Sequence, residues 1–205
     1  LAWAGKDQVV LSVSDAYDGF DDNTTGDSGP ISRTIGSGPV DTINWILPLQ
    51  RLLLGGQGAE HSCRSTAFDE PLTPNNFNIK PASTQGSAAV SAVKVDSKGM
   101  FVQRGGTRLF ELLLSSETLD YASQDLTILV PEIGEPSITR IAVQRQPDTR
   151  VHCVRSDGSA AVLVYDKAEN LLCWVEVETR AGDLIKDVVI LPGDDGVSED
   201  IVYYA

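Results

Sequence analysis

The sequence has few of the residues on which active sites and metal sites most often depend. Its 205 residues include two His, three Cys and one Met, so few imidazole or sulfur groups are present for acid–base catalysis near neutral pH or for binding soft metals. Asp and Glu total 29 against 16 Lys and Arg, which gives a net charge of −13 at pH 7. This excess argues against a surface that grips nucleic-acid phosphates, because such surfaces need clustered basic residues. The excess of acidic residues suits a protein that stays soluble, or a surface along which a polyanion moves without being bound.

A long apolar run is also missing. Leu52, Leu53 and Leu54 are followed at once by two glycines, and no stretch approaches the roughly 20 apolar residues that a membrane helix needs. The sequence begins with Leu1 and ends on the apolar run 201–205. We therefore expect it to be a section of a longer protein, and a processed mature chain is the alternative.

Short apolar runs separated by Gly, Pro, Asp and Asn dominate the rest of the sequence. Most runs are roughly four to seven residues long, which is the length of strands rather than helices. Asp157-Gly158 lies between two such runs and predicts a hairpin turn. Gly105-Gly106 predicts another reversal, because glycine reaches positive φ without strain.

Only the segment 123–133 shows the spacing of a helix. Leu126, Leu129 and Val130 would share one helical face, and Pro131 would end or bend the helix. The sequence therefore predicts an all-β fold of antiparallel strands, with at most one short helix near 123–133.

The apolar runs recur with a period of roughly 47 residues, which lies in the range of propeller blades. The repeats begin near Ile43, Val90, Ile138 and Leu184. Segment 138–175 is the clearest unit, since four runs joined by short turns are typical of a blade. We predict N-terminal strands and an acidic loop over 1–40, then consecutive β-propeller-like blades over 41–205 that continue beyond this partial chain. A β-sandwich would use similar runs, but its longer connections between sheets are less evident.

Two groups of residues are candidate metal ligands. Five aspartates crowd the segment 15–29, but their spacing does not match a calcium-binding loop, so a solvated loop is favoured and a cation site stays open. His61 and Cys63 would share one face of a strand, whereas the adjacent His152 and Cys153 would point to opposite faces. We therefore predict no metal site and no cofactor. The three cysteines are expected to be reduced, buried thiols.

No catalytic arrangement stands out. The sequence has no nucleophile elbow beside its two histidines. Glu111, Glu117 and Asp120 could supply a glycosidase carboxylate pair, but paired carboxylates are common by chance among 29 acidic residues. We predict no catalytic residue and no enzymatic activity.

Several segments, taken in chain order, together carry a resemblance to a known family. The most specific is 101–109, Phe-Val-Gln-Arg-Gly-Gly-Thr-Arg-Leu. The others are 44–55, 70–76, 83–87, 146–148, 153–158 and 163–166. These segments resemble the tail nozzle or hub proteins of short-tailed bacteriophages and related prophages, the tail tubular protein B type. The resemblance covers most of the chain from about residue 40 onward, and residues 1–40 match only loosely.

The resemblance implies a virion protein that assembles in the host cytoplasm. Six copies would form a ring below the portal and adaptor proteins, support fibres or the tail tip, and continue the channel through which DNA leaves without specific binding or membrane contact. In such a ring Arg104 and Arg108, which flank the Gly105-Gly106 turn, are candidates for a blade or subunit interface. The alternative is a carbohydrate-binding or hydrolytic β-propeller that acts at a host surface.

Overall fold

The computed structural model describes residues 2–36, 41–67, 70–166, 169, 171–180, 182–194 and 198–205. These residues fold as antiparallel β-sheets, as the sequence predicts. They form two compact units: Leu1–Ala89 with Leu114–Ala122, and Val90–Leu113 with Ser123–Ala205. Within the described ranges, no helix is both long enough and apolar enough to cross a membrane.

Two sheets occur in the first 89 residues, and each follows chain order. The first has the strands β1 Ala2–Gly5, β2 Gln8–Leu11 and β3 Ile31–Thr34. The second has β4 Ile43–Pro48, β5 Leu52–Gly56, β6 Glu60–Arg64 and β7 Asn78–Ser83. Alternate residues of β4 are buried, because successive side chains of a strand point to opposite faces. The core of this unit is formed by Val9, Ile31, Ile35, Ile43, Leu54, Cys63 and Phe77.

Three further sheets also follow chain order. One has β8 Val93–Val95, β9 Lys98–Val102, β10 Leu109–Ser115 and β11 Asp120–Asp125. The next has β12 Ile138–Gln144, β13 Arg150–Arg155, β14 Ala160–Asp166 and β15 Leu171–Val177. The last is the pair β16 Val188–Leu191 and β17 Ile201–Tyr204. The four antiparallel strands predicted within 138–175 are confirmed.

The first strands of two sheets carry a similar irregularity. In β4 the pairing with β5 shifts between Ile43 and Trp45, and in β12 the pairing with β13 shifts between Ile138 and Arg140. A shift of this kind near the start of a strand changes the local twist. Just before β16, the backbone N–H groups of Lys186 and Asp187 both donate to the carbonyl of Ala205.

One backbone hydrogen bond also recurs along the chain. A carbonyl in or next to a hairpin turn accepts from a backbone N–H at or before the next sheet, at 2.6–2.8 Å. The donor and acceptor pairs are Ile43 and Lys6, Ser87 and Gly56, Ile138 and Gly106, and Ile185 and Gly158. Successive sheets of the chain are therefore joined by a similar backbone link, and their arrangement as propeller blades stays a prediction.

The helix predicted near 123–133 is wrong for most of its length. The described residues contain only a 3₁₀ turn, Pro131–Gly134, which begins at the proline that we expected to end a helix. Leu126 is buried and its backbone N–H donates to Leu109, whereas Leu129 is 86% exposed. The two leucines therefore do not share a face, because the segment continues from a strand. A short helix without packing partners would also be difficult to nucleate.

Candidate interaction site

Arg104 and Arg108 lie in and just after the turn between β9 and β10. The Arg104 side chain is exposed. Arg108 forms an ion pair with Asp125 at 2.5 Å within the same unit. Burial raises the pKa of Asp125, but hydrogen bonds from Thr127 and from Arg108 outweigh it and hold this pKa below its ordinary value. Arg108 is thus engaged inside the chain and Arg104 faces solvent, and their use at an interface stays a prediction.

Four other arginines of the second unit bind partners within the chain. Arg140 pairs with Asp187 at 3.0 Å, and Arg150 pairs with Asp148 at 2.9 Å. Arg155 pairs with Glu176, and Arg145 donates to the carbonyl of Lys94. The pairs of Arg140 and Arg150 are exposed, so each contributes about 1 kcal/mol or less.

A cavity of about 490 Å³ lies beside β5, β6 and β7 in the first unit. We call it the cationic cavity and define it by Arg51, Arg64, Lys80, Leu52, Leu72 and Leu119. Basic groups and apolar side chains therefore meet in one concave site. A mixture of this kind suits a ligand that has both an anionic group and an apolar body.

One carboxylate organises the two arginines of the cationic cavity. Asp120 lies 3.0 Å from Arg51 and 3.5 Å from Arg64, and it accepts a 2.7 Å hydrogen bond from Ser62. Glu70 also lines the cavity. Two carboxylates against two guanidinium groups and an ammonium leave a local excess of positive charge. That excess is unusual in a chain with a net charge of −13.

A buried ionic cluster lies in the second unit. The Lys98 ammonium is 2.5 Å from the carboxylate of Glu111, and the Tyr165 hydroxyl donates to the same oxygen at 2.6 Å. Lys98 also donates to the Tyr165 hydroxyl. Burial and the hydrogen bond to Glu111 raise the pKa of Tyr165 to about 12. The cluster ties β9 and β10 to β14.

The three carboxylates considered for glycoside hydrolysis have different surroundings. Glu111 and Asp120 are each held in ion pairs with basic side chains. Glu117 is exposed.

The segment 15–29, hereafter the acidic loop, presents aromatic rings among its carboxylates. Tyr17 is 75% exposed and Phe20 is 38% exposed. Asp21 accepts hydrogen bonds from the backbone and side chain of Asn23, which lower its pKa. In the described part of the chain no three His, Cys, Asp or Glu side chains are placed to hold a metal ion.

His152 is a buried, neutral histidine rather than a metal ligand. Nδ1 lies 2.6 Å from the Tyr204 hydroxyl, and Nε2 lies 3.1 Å from Oε1 of Gln144. The Gln144 amide donates to a carbonyl, so Oε1 accepts from Nε2–H and the tyrosine donates to Nδ1. Burial, with a smaller contribution from Arg150, lowers the pKa of His152 to about 4.

The histidine makes stability depend on pH. Its folded-state pKa lies below its unfolded value of 6.5, so its contribution is complete above pH 6.5 and is lost as pH falls towards 4. The free energy of unfolding should fall between pH 7 and pH 4.5, and we expect this fall to be about 2 kcal/mol smaller in the His152→Gln variant than in the unmodified protein. Urea unfolding at both pH values measures this, and an equal pH dependence in both proteins would contradict it.

The three cysteines are free, but only two are buried. Burial raises the pKa of Cys63 and of Cys153 to about 12. Cys173 is exposed, so the prediction of a buried thiol is wrong there. Cys173 lies on β15, which has a neighbouring strand on one side only within its sheet.

We expect a thiol reagent such as Ellman's reagent to modify Cys173 alone in the native protein, because thiolate character and access control reactivity. All three thiols should react in denaturant. The Cys173→Ser variant should release no chromophore until it unfolds. Rapid native labelling of that variant would show that Cys63 or Cys153 is accessible.

No protein-family model matches the chain, and no curated protein matches it significantly. The resemblance to tail nozzle or hub proteins therefore stays a prediction from sequence, as does the host-surface propeller. The structure adds a recurring sheet unit, a cationic cavity and an exposed acidic loop.

Proposed function

We propose that the chain is a structural component of a bacteriophage tail, a nozzle or hub subunit of which six copies form a ring. The observation that carries this proposal is the repetition of one sheet unit with the same hairpin link. Repeated units of this kind pack each against its neighbours, which suits a structural subunit. The motifs between residues 40 and 166 support the assignment to this family.

The recurring sheets are proposed to be consecutive propeller-like blades. Each four-stranded sheet runs in chain order, as blades do. The hydrogen bond that each hairpin carbonyl accepts from a backbone N–H at or before the next sheet would fix the spacing between neighbouring blades. Buried hydrogen bonds of this type favour one geometry, because an unpaired backbone group away from water is costly.

The charge of the chain suits a channel for DNA. A lumen lined by carboxylates repels phosphate groups, so DNA passes without being held. With a net charge of −13, the protein offers many carboxylates for such a surface. The ring would contact the portal and adaptor proteins at one end and fibres or the tail tip at the other.

The tryptophans give less support to the alternative, a carbohydrate-binding propeller. Sugar platforms need exposed aromatic rings, but Trp45 is buried against Gly55. Trp174 is half-buried, and its indole N–H donates to the carbonyl of Leu126 at 2.9 Å. Both rings contribute to packing.

Two measurements test the proposal. Purified protein mixed with a portal–adaptor complex should co-sediment with it, and mass spectrometry of purified virions should detect the protein at about the stoichiometry of a ring. Absence from virions together with failure to bind the complex would contradict the proposal. Specific hydrolysis or glycan binding by the purified protein would favour the alternative.

A further inference from the structure

The cationic cavity and the acidic loop have complementary chemistry. We infer that the acidic loop of one copy binds in the cationic cavity of a second copy. This inference rests on the proposed function, since it names the contact by which copies of the chain meet. It concerns a surface distinct from Arg104 and Arg108.

The cavity provides both charge and apolar surface. Arg51 and Arg64 lie around Asp120, and the exposed Lys80 lines the same space. Its volume of about 490 Å³ is in the range that binds a ligand with several large groups. Arginine also recognises carboxylates through paired N–H donors and stacks on aromatic rings.

The loop provides the matching groups. Tyr17 and Phe20 are exposed to solvent, and Asp18, Asp21 and Asp22 are their neighbours in the sequence. Exposed aromatic rings are frequent anchors of interfaces. The base of the loop is fixed by a backbone hydrogen bond from Ser14 to Ser28 and by a side-chain hydrogen bond from Asn75 to Asp27. A loop that is already ordered loses less entropy when it binds.

The occupant is a second copy because the acidic loop of the same sequence supplies the carboxylates and exposed aromatic rings that the cationic cavity suits. Elsewhere on their surfaces, two molecules that each carry −13 repel each other. A contact that places aspartates beside three basic side chains replaces repulsion with attraction at the point of contact. The proposed contact therefore gives association that weakens as salt rises.

Photocrosslinking tests the contact directly. Tyr17 is replaced by benzoylphenylalanine, and ¹⁵N-labelled and unlabelled full chains are mixed before irradiation. We expect mixed-label crosslinks from position 17 to peptides that contain Arg64 or Lys80. Crosslinks that join only peptides of the same label would show that the loop folds onto its own chain. Mixed-label crosslinks to peptides outside the cationic cavity would show that the loop contacts another surface. Either result, or the absence of mixed-label products, overturns the inference.

Charge reversal tests the chemistry. Lys80→Glu and Asp22→Lys should each weaken self-association about twofold to fivefold at low salt, and the double variant should return to within about twofold of the unmodified chain. Lys94→Glu and Glu178→Lys, two exposed positions outside the cavity and the loop, are the matched controls. Sedimentation equilibrium measures the constants. Equal effects in the controls, or no recovery in the double variant, would overturn the inference.

The two proposals can fail separately. If rings form and join the portal–adaptor complex while Tyr17 crosslinks elsewhere, only the loop-to-cavity contact is wrong. If the chain neither forms rings nor joins the complex, the proposed function is wrong as well.

Discussion

Replacement of Gly55 by alanine is expected to destabilise the protein by about 3 kcal/mol or more, at the upper end of overpacking effects. Gly55 lies on β5 directly opposite Trp45 of β4. A Cβ atom at Gly55 would lie 1.9 Å from Cε2 and 2.3 Å from Nε1 of the Trp45 ring. The indole is buried, so it has no solvent-filled space into which it can move. For a chain of this size we expect the unfolding temperature to fall by about 6–12 °C.

Gly105→Ala is the matched control, because nothing lies within 4 Å of a Cβ at Gly105 and its φ is not positive. Thermal unfolding of this variant should stay within about 2 °C of the unmodified protein. Trp45→Leu should reduce the further cost of Gly55→Ala, since the ring that causes the clash is gone. Equal unfolding temperatures for Gly55→Ala and Gly105→Ala would contradict the packing of Trp45 on Gly55.

The second large effect is expected at the buried ionic cluster. Glu111→Gln should cost about 2–4 kcal/mol, since it leaves the charge of Lys98 uncompensated in a largely buried site. Glu111 is 1% exposed, and its carboxylate contacts both Lys98 and Tyr165. Urea unfolding followed by circular dichroism measures the change.

A double variant separates the charge effect from the packing effect. Glu111→Leu with Lys98→Met removes both charges and should recover at least half of the loss, because a buried pair replaced by apolar side chains is often close to neutral. Glu117→Gln, at an exposed glutamate, should change stability by less than about 0.5 kcal/mol. If Glu111→Gln behaved like Glu117→Gln, the cluster would contribute nothing to the fold.

The strands and their order could be predicted because their signals are local. The Asp157-Gly158 turn and the alternating runs on either side of it specify a hairpin within a few residues of each other. The same holds for the four strands between 138 and 177, which pair with their neighbours in sequence. Local sequence patterns gave the wrong prediction at 123–133. The spacing of apolar residues there suggested a helix, but the backbone N–H of Leu126 donates to the carbonyl of Leu109 and the chain continues from strand β11 at this point.

The candidate sites could not be predicted because they depend on residues far apart in the chain. Asp120 lies more than fifty residues along the chain from Arg51 and from Arg64, with which it forms ion pairs. Glu111 and Tyr165, which are hydrogen-bonded, have a similar separation in sequence. Nothing in the spacing of these residues marks them as neighbours. Arg104 and Arg108 were singled out by a local turn, but the structure engages Arg108 with Asp125 inside the chain.

Electron microscopy of the isolated oligomer tests the central claim most directly. Purified protein, alone or bound to a portal–adaptor complex, should give ring-shaped particles with sixfold symmetry and an open centre, and each subunit should show consecutive blade-like lobes. Particles that remain monomeric under both conditions, or closed assemblies without a central channel, would contradict the account of this chain as a tail-ring subunit.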